Sequence, residues 1–207
     1  MKKRAIIYDL DNTLYAVSSI GEKLFAPVFG LIKESGRHDE DMDAIKKDLM
    51  RTPFRIVAKR FHFSNELTVK AIALQENITF NEPIATFEDY PEIKNLPGDR
   101  FLVTTGFKNM QLSKIRQMGI ENDFKEVHVV DPTKTSKKEV FADILKRYGF
   151  EPSEVIVVGD DPESELRAAR ELGIDTVLYD KTGQQDASAE SYTIKHYKEL
   201  REILLGK

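Results

Sequence analysis

Five short apolar runs punctuate the chain, Ala5 to Tyr8, Phe101 to Thr104, Val127 to Val130, Val155 to Val158 and Ile174 to Tyr179, and each breaks off into polar residues or glycine. Their nearly continuous apolar character is the pattern of strands covered on both faces. Helical patterns fall between them, about Lys108 to Met118 before Gly119, Ser136 to Tyr148 before Gly149 and Glu163 to Leu172 before Gly173. A glycine so placed closes a helix in the left-handed conformation. Strand and helix in alternation predict an α/β fold, a Rossmann-like doubly wound parallel sheet. A last helix is expected over Tyr197 to Leu205.

The segment from about Ser18 to Asn81 breaks the alternation. It has no convincing strand, and its apolar residues recur at helical spacing, as in Leu24, Val28, Leu31 and Ile32 or Ile56, Val57, Phe61 and Phe63. Three to five helices are expected there, forming a small unit over residues 18–81. Residues 1–17 and 82–207 would make the core, with hinges near Val17 to Gly21 and near Glu82 to Asp89, where Pro83 interrupts regular structure. A chain of 207 residues, 41% hydrophobic and 32% charged, suits one soluble core with a small appended unit.

The chain contains no cysteine, which excludes disulfides and thiolate metal sites. Met1-Lys2-Lys3-Arg4 looks like the start of a signal peptide, but Asp9 interrupts the apolar run that follows. With neither secretion signal nor membrane span, a reducing, cytoplasmic location is expected and no membrane partner. A net charge of −4 with interleaved signs lacks the basic footprint of a nucleic-acid binder. A small anionic substrate is compatible with it, because local charge matters more than the sum. Oligomeric state is not legible.

The first strand runs into Asp9-Leu10-Asp11-Asn12-Thr13. Side chains alternate along an extended chain, so Asp9 and Asp11 leave on the same side. Two carboxylates that close need a cation, or a proton on one of them. A turn built from Asp and Asn has the same spacing, so the other strand ends decide. After the second come Thr104, Thr105 and Gly106, read as hydroxyls and free backbone N–H groups; after the fourth come Gly159, Asp160 and Asp161, then Glu163 and Glu165. Between them Lys134, Lys137 and Lys138 cluster around Ser136 and Glu139, which have capping-box spacing. Open α/β sheets bind ligands at such strand ends. Hydroxyls, a cation and carboxylates gathered there describe a phosphate-and-metal site.

Asp9-Leu10-Asp11-Asn12-Thr13-Leu14, Thr104 after an apolar strand, a lysine at a helix start and Gly159-Asp160-Asp161 together resemble, in order, the four motifs of the haloacid dehalogenase (HAD) superfamily. Lys114-Ile115 to Phe124 and Glu165-Leu166-Arg167-Ala168-Ala169 to Ile174 resemble the helices that follow motifs two and four. The resemblance implies a HAD core and assigns roles. Asp9 would be the nucleophile, forming an aspartyl-phosphate. Asp11 would be the general acid and base. Thr104 and a lysine would hold the phosphoryl group, with Thr105 and Gly106 beside it. Mg²⁺ would bridge Asp9, the backbone carbonyl of Asp11, Asp160 and the phosphate, with Asp161 and Glu165 behind these groups. Asn12 and Thr13 would shape the loop. True dehalogenases lack a carboxylate at the Asp11 position, so its presence points to phosphate esters. The helical insertion sits where one large subgroup carries a mobile cap. Asp11 to Tyr15 followed by Ser19-Ile20-Gly21 is similar to pyrimidine 5'-nucleotidase-like members.

The implied activity is a Mg²⁺-dependent phosphatase for a small phosphorylated metabolite, with a phosphomutase or a non-catalytic phosphometabolite-binding protein as alternatives. Lys137, first residue after the Ser136 cap, is preferred for the motif-three lysine over Lys134 and Lys138. Thr105 stands where many relatives have Asn, and Glu165 where they often have Asp; Glu165 is read either as reaching the metal through water or as positioning Lys137, and equally as a solvated helix residue. Pro91 to Gly98 replaces a full helix. Arg51, Arg55 and Lys59 recur at every fourth residue and are expected on one helical face, read as solvated in preference to substrate-binding. Asp180-Lys181-Thr182-Gly183 resembles the phosphorylation motif of ion-pumping ATPases but is read as the turn after the last strand. His38, His62, His128 and His196 lack metal-ligand spacing.

Overall fold

The protein is described from a computed structural model over residues 3–181 and 189–205. Six parallel strands form one sheet: β1 Ala5–Tyr8, β2 Asp99–Thr105, β3 Glu126–Val130, β4 Val155–Gly159, β5 Asp175–Tyr179 and β6 Tyr192–Ile194. Their order is β3-β2-β1-β4-β5-β6. β1 is therefore central, with Ile7 facing Phe101 on one side and Val157 on the other. All four of its residues are buried, and they alternate between two core layers. Ile6 and Tyr8 join Leu102, Ile115, Ile156 and Tyr197, whereas Ala5 and Ile7 join Phe101, Phe141, Val157 and Leu166. The five expected strands are present; β6 was not expected. It has three residues, two of them exposed, too few for a periodic signal. The Asp180-Lys181 turn accordingly follows β5 and is not the last, since Asp180 N–H donates to Ile194 of β6; Thr182 and Gly183 lie outside the described residues.

Five α-helices fill residues 18–81: α1 Gly21–Leu24, α2 Ala26–Glu34, α3 Met42–Leu49, α4 Phe54–Arg60 and α5 Asn65–Asn77. They bury Val28, Ile32, Ile45, Val57 and Ala71 among themselves. The single turn α6 Pro91–Lys94 leads into β2. The sheet is covered by α7 Lys108–Met118, α8 Lys137–Tyr148, α9 Glu165–Arg170 and α10 Tyr197–Leu205. Gly119, Gly149 and Gly173 all have left-handed φ, between 61° and 73°. Ser136 caps α8 reciprocally: its Oγ accepts from Glu139 N–H and Glu139 Oε2 accepts from Ser136 N–H. The helix expected from Glu163 begins at Glu165 because Asp161 to Ser164 form a turn, with Ser164 N–H donating to Asp161. No described helix is long and apolar enough to cross a membrane.

The end of α8 is fastened to the edge strand through Glu126, whose carboxylate accepts from Arg147 Nη1 and Nη2 and from Tyr148 Oη, each at 2.6 Å. These donors, Arg147 foremost, hold the Glu126 carboxyl below the usual range. A depressed value contributes stability that is complete above the unfolded value and lost as pH falls through the folded one. Glu126→Gln is therefore expected to lower Tm by about 2–3 °C at pH 7. The gap to the parent should close as pH drops below about 4; a constant gap across that range in thermal melts would refute the assignment.

Candidate active site

The site forms where β1, β2 and β4 end. Pairing of β1 continues one step, because Asp9 N–H donates to Val158 at 2.9 Å, and this sets Asp9 at the sheet edge. The chain then turns through Asn12, at φ 58°, whose Oδ1 accepts from Val17 N–H at 3.1 Å. Thr13 is buried and its carbonyl accepts from Tyr197 Oη. Both residues shape the loop.

Lys137 opens α8 and points back under the sheet edge. Its Nζ donates to Asp9 Oδ1 at 2.6 Å and to Glu165 Oε2 at 2.7 Å, and all three side chains are buried. Lys134 pairs with Asp131 and Lys138 with Glu171, both on the surface. Glu165 is not a solvated helix residue: its second oxygen accepts from Asp161 N–H at 2.9 Å, so both are committed. It fits only because residue 159 is glycine, since a methyl group there would overlap the Glu165 carboxylate. Asp161 Oδ1 accepts from Glu163 N–H, forming the turn before α9.

Oxygens of Asp9, Asp160 and Glu165 lie within 4.8 Å of one another. Burial pushes the Asp9 carboxyl up to about 7 against the pull of Lys137. Burial and the neighbouring Glu165 and Asp9 charges push Asp160 well above its usual range, and burial with Glu165 raises Asp161. Lys137 is raised despite its burial, by the two carboxylates it joins. Crowded carboxylates that resist ionisation call for a further cation. An all-oxygen donor set suits a hard divalent ion. Because Glu165 is spent on Lys137 and on the turn, Asp9 and Asp160 are the carboxylates available to it.

Asp11 has a separate environment. Lys114 Nζ donates to both of its oxygens, at 2.8 and 3.0 Å, Tyr15 Oη to Oδ1 at 2.5 Å and Gln111 Nε2 to Oδ2 at 2.9 Å. Burial opposes ionisation there, but Lys114 with the Tyr15 and Gln111 hydrogen bonds prevails and holds the carboxyl below its usual range. Gln111 Nε2 also lies 2.6 Å from Thr104 Oγ1 and 3.2 Å from the Thr105 carbonyl. Gly106 N–H is not free as expected: it donates to Val130 at 3.1 Å, because sheet pairing runs one residue past β2.

Arg51, Arg55 and Lys59 do not share a helical face. Arg51 lies in the turn before α4, outside the helix carrying the other two, since Pro53 delays the helix start. Its Nη2 stands 3.6 Å from Asp160 Oδ2. Between that turn and the strand ends lies a cleft of about 1310 Å³, lined by Arg51, Arg55, Ile56 and Phe107 as well as by the carboxylates. The sequence reading missed Arg51 at the site and the grip of Gln111 and Lys114 on Asp11. The signal for the latter pair was available: two polar residues three apart on α7, flanked by the buried Met110 and Ile115.

Residues 6–179 match the profile of the family described as haloacid dehalogenase-like hydrolase. The chain is 27% identical to a glyceraldehyde 3-phosphate phosphatase of Methanocaldococcus jannaschii, covering 97% of this chain and 96% of that one. It is 22% identical to the Methanopyrus kandleri protein of the same name, covering 97% of each. The crystal structure of a HAD phosphatase from Thermococcus onnurineus superposes with a TM-score of 0.71 at 22% identity, over 99% of both chains.

Proposed function

The chain belongs to the haloacid dehalogenase-like hydrolase family, and from that premise we propose that it is a phosphatase acting on small phosphorylated metabolites, sugar phosphates foremost. The observation that carries this is the division between two carboxylates two residues apart. Asp9 sits with Lys137 in the acidic cluster, and Asp11 sits apart on Lys114, Gln111 and Tyr15. The two settings are opposite, since burial raises Asp9 and Lys114 holds Asp11 ionised, so in this reading a cation beside Asp9 and Asp160 would ionise the nucleophile. Two relatives covering almost the whole chain are named as phosphatases of a triose phosphate, which supports the substrate class.

In this reading an Asp9 oxygen bonds to phosphorus as the bond to the leaving oxygen breaks, and a proton passes from Asp11 to that oxygen, releasing the alcohol. The negative charge of the arriving phosphoryl group favours the proton on Asp11. Water then attacks the aspartyl-phosphate, Asp11 takes its proton, and Asp9 is freed. Thr104 donates to a phosphoryl oxygen, and Lys137 offsets charge on Asp9 and the group bonded to it. Asp9, Asp160 and the carbonyl of Asp11 would hold Mg²⁺, which when bound supplies positive charge for the phosphoryl oxygens. Residues 18–81 act as the cap over a core of 1–17 and 82–207, excluding water and selecting substrate.

The test is phosphate release from a panel of triose and pentose phosphates, nucleoside monophosphates and phosphoserine, with Mg²⁺ and after chelation. Release from at least one sugar phosphate is expected, falling about a hundredfold or more with EDTA. Binding without release across the panel would overturn the phosphatase reading. Little release together with stimulation by a bisphosphate would indicate a mutase.

A further inference from the structure

We infer that Gln111 and Lys114, one turn apart on α7, are positioning residues for the proton-transfer part of the reaction, aiming Asp11 at the leaving oxygen and coupling it to the phosphate-binding Thr104. The inference rests on the phosphatase reading and deepens it.

Every hydrogen bond that the Lys114 side chain makes among the described residues goes to Asp11. Its side chain is 3% exposed, against 30% for the carboxylate it holds. A buried ammonium costs desolvation that an apolar residue at the same place would avoid, and here that cost fixes one carboxylate whose open side faces the cleft. Lys114 grips both oxygens, so it fixes the tilt of the carboxylate as well as its position. Tyr15 closes the third side at 2.5 Å.

Gln111 reaches three acceptors, Asp11 Oδ2, Thr104 Oγ1 and the Thr105 carbonyl. By donating to Thr104 Oγ1 it occupies a lone pair, which leaves that hydroxyl's own hydrogen free to turn toward a phosphoryl oxygen. One amide thus sets both the donor on the transferred group and the acid beside the departing group. The approach depends on Gly106: at φ 151° it has no side chain, and a methyl group would stand 3.2 Å from Gln111 Cγ and Cδ.

A residue that positions a proton donor matters when the leaving group needs the proton. Nitrophenolate leaves without one, whereas a sugar alkoxide does not. Lys114→Met and Gln111→Leu are therefore expected to lower kcat for glyceraldehyde 3-phosphate by about 10- to 100-fold, with KM within about threefold. In Lys114→Met the single-turnover burst of p-nitrophenolate from p-nitrophenyl phosphate, which needs no proton from Asp11, should stay within about threefold, and that burst shows that the variant is folded; Gln111→Leu should slow the burst as well, because Thr104 loses its partner. Lys114→Arg should restore part of the loss. In Lys114→Met, equal losses in the nitrophenolate burst and in triose phosphate turnover, or no loss in either, would overturn the assignment. A wild-type protein that releases phosphate from neither ester would instead overturn the phosphatase reading, and this inference with it.

Discussion

Asp9→Asn is expected to lower kcat for phosphate release by roughly 10⁴-fold or more, with no compensating change in KM. The amide keeps the shape of the side chain and can still accept from Lys137, but it cannot form the acyl phosphate of the proposed mechanism. Stability should hardly suffer. Burial raises the Asp9 carboxyl to about 7, so ionising it costs the folded state stability as pH rises from the free-aspartate value, about 3.9, to about 7, and a neutral amide removes that cost. Tm should stay within about 3 °C of the parent at pH 7. Single-turnover phosphate release checks the first expectation and thermal melts the second. Residual activity within tenfold of the parent would remove Asp9 from the nucleophile's role.

Lys137→Met should produce the largest loss of stability. It strips the shared cation from Asp9 and Glu165, which are 6% and 2% exposed, and an uncompensated buried charge costs about 3–5 kcal/mol. In a chain of this size that is a Tm roughly 10 °C lower. The sign with pH follows from both kinds of group. Lys137 is raised in the folded state, so its contribution is whole below the unfolded lysine value, about 10.4. Asp9 is raised as well, so toward pH 5 it takes a proton and the variant's deficit should shrink. Adding Glu165→Gln should recover part of the loss, since fewer bare charges are then left inside. A Lys137→Met protein melting within 2 °C of its parent at pH 7 would show that the triad is not stabilising.

The sheet was legible because β1 and β4 are buried throughout and β2 and β5 over Phe101–Thr104 and Thr176–Tyr179, so that each carries a short, largely apolar run. Helix ends were legible through local chemistry, Ser136 with Glu139 at one end of α8 and Gly149 at the other. β6 escaped because a three-residue edge strand owes its pairing to β5 rather than to its own composition. At the site, Asp9, Asp11, Thr104, Lys137 and Asp160 could be singled out because strand ends announce themselves. The partners of Asp11 show only as two polar residues on a buried face of α7, and that Lys114 meets Asp11, 103 positions earlier in the chain, is written nowhere locally. Arg51 was hidden for a similar reason: regular spacing suggested a helix that Pro53 delays.

The contact between Lys137 and Asp9 spans 128 positions. During synthesis Asp9 emerges first, and the lysine that pairs with it follows only after two-thirds of the chain. Until then Asp9 is an ordinary hydrated carboxylate with a proton affinity near that of free aspartate, about 3.9. Its raised proton affinity comes from burial as β1 closes against β4 and α8 arrives, not from the residue itself. On the proposed mechanism, a chain lacking α8 would display the complete DxD signature without the lysine that offsets the charge on Asp9.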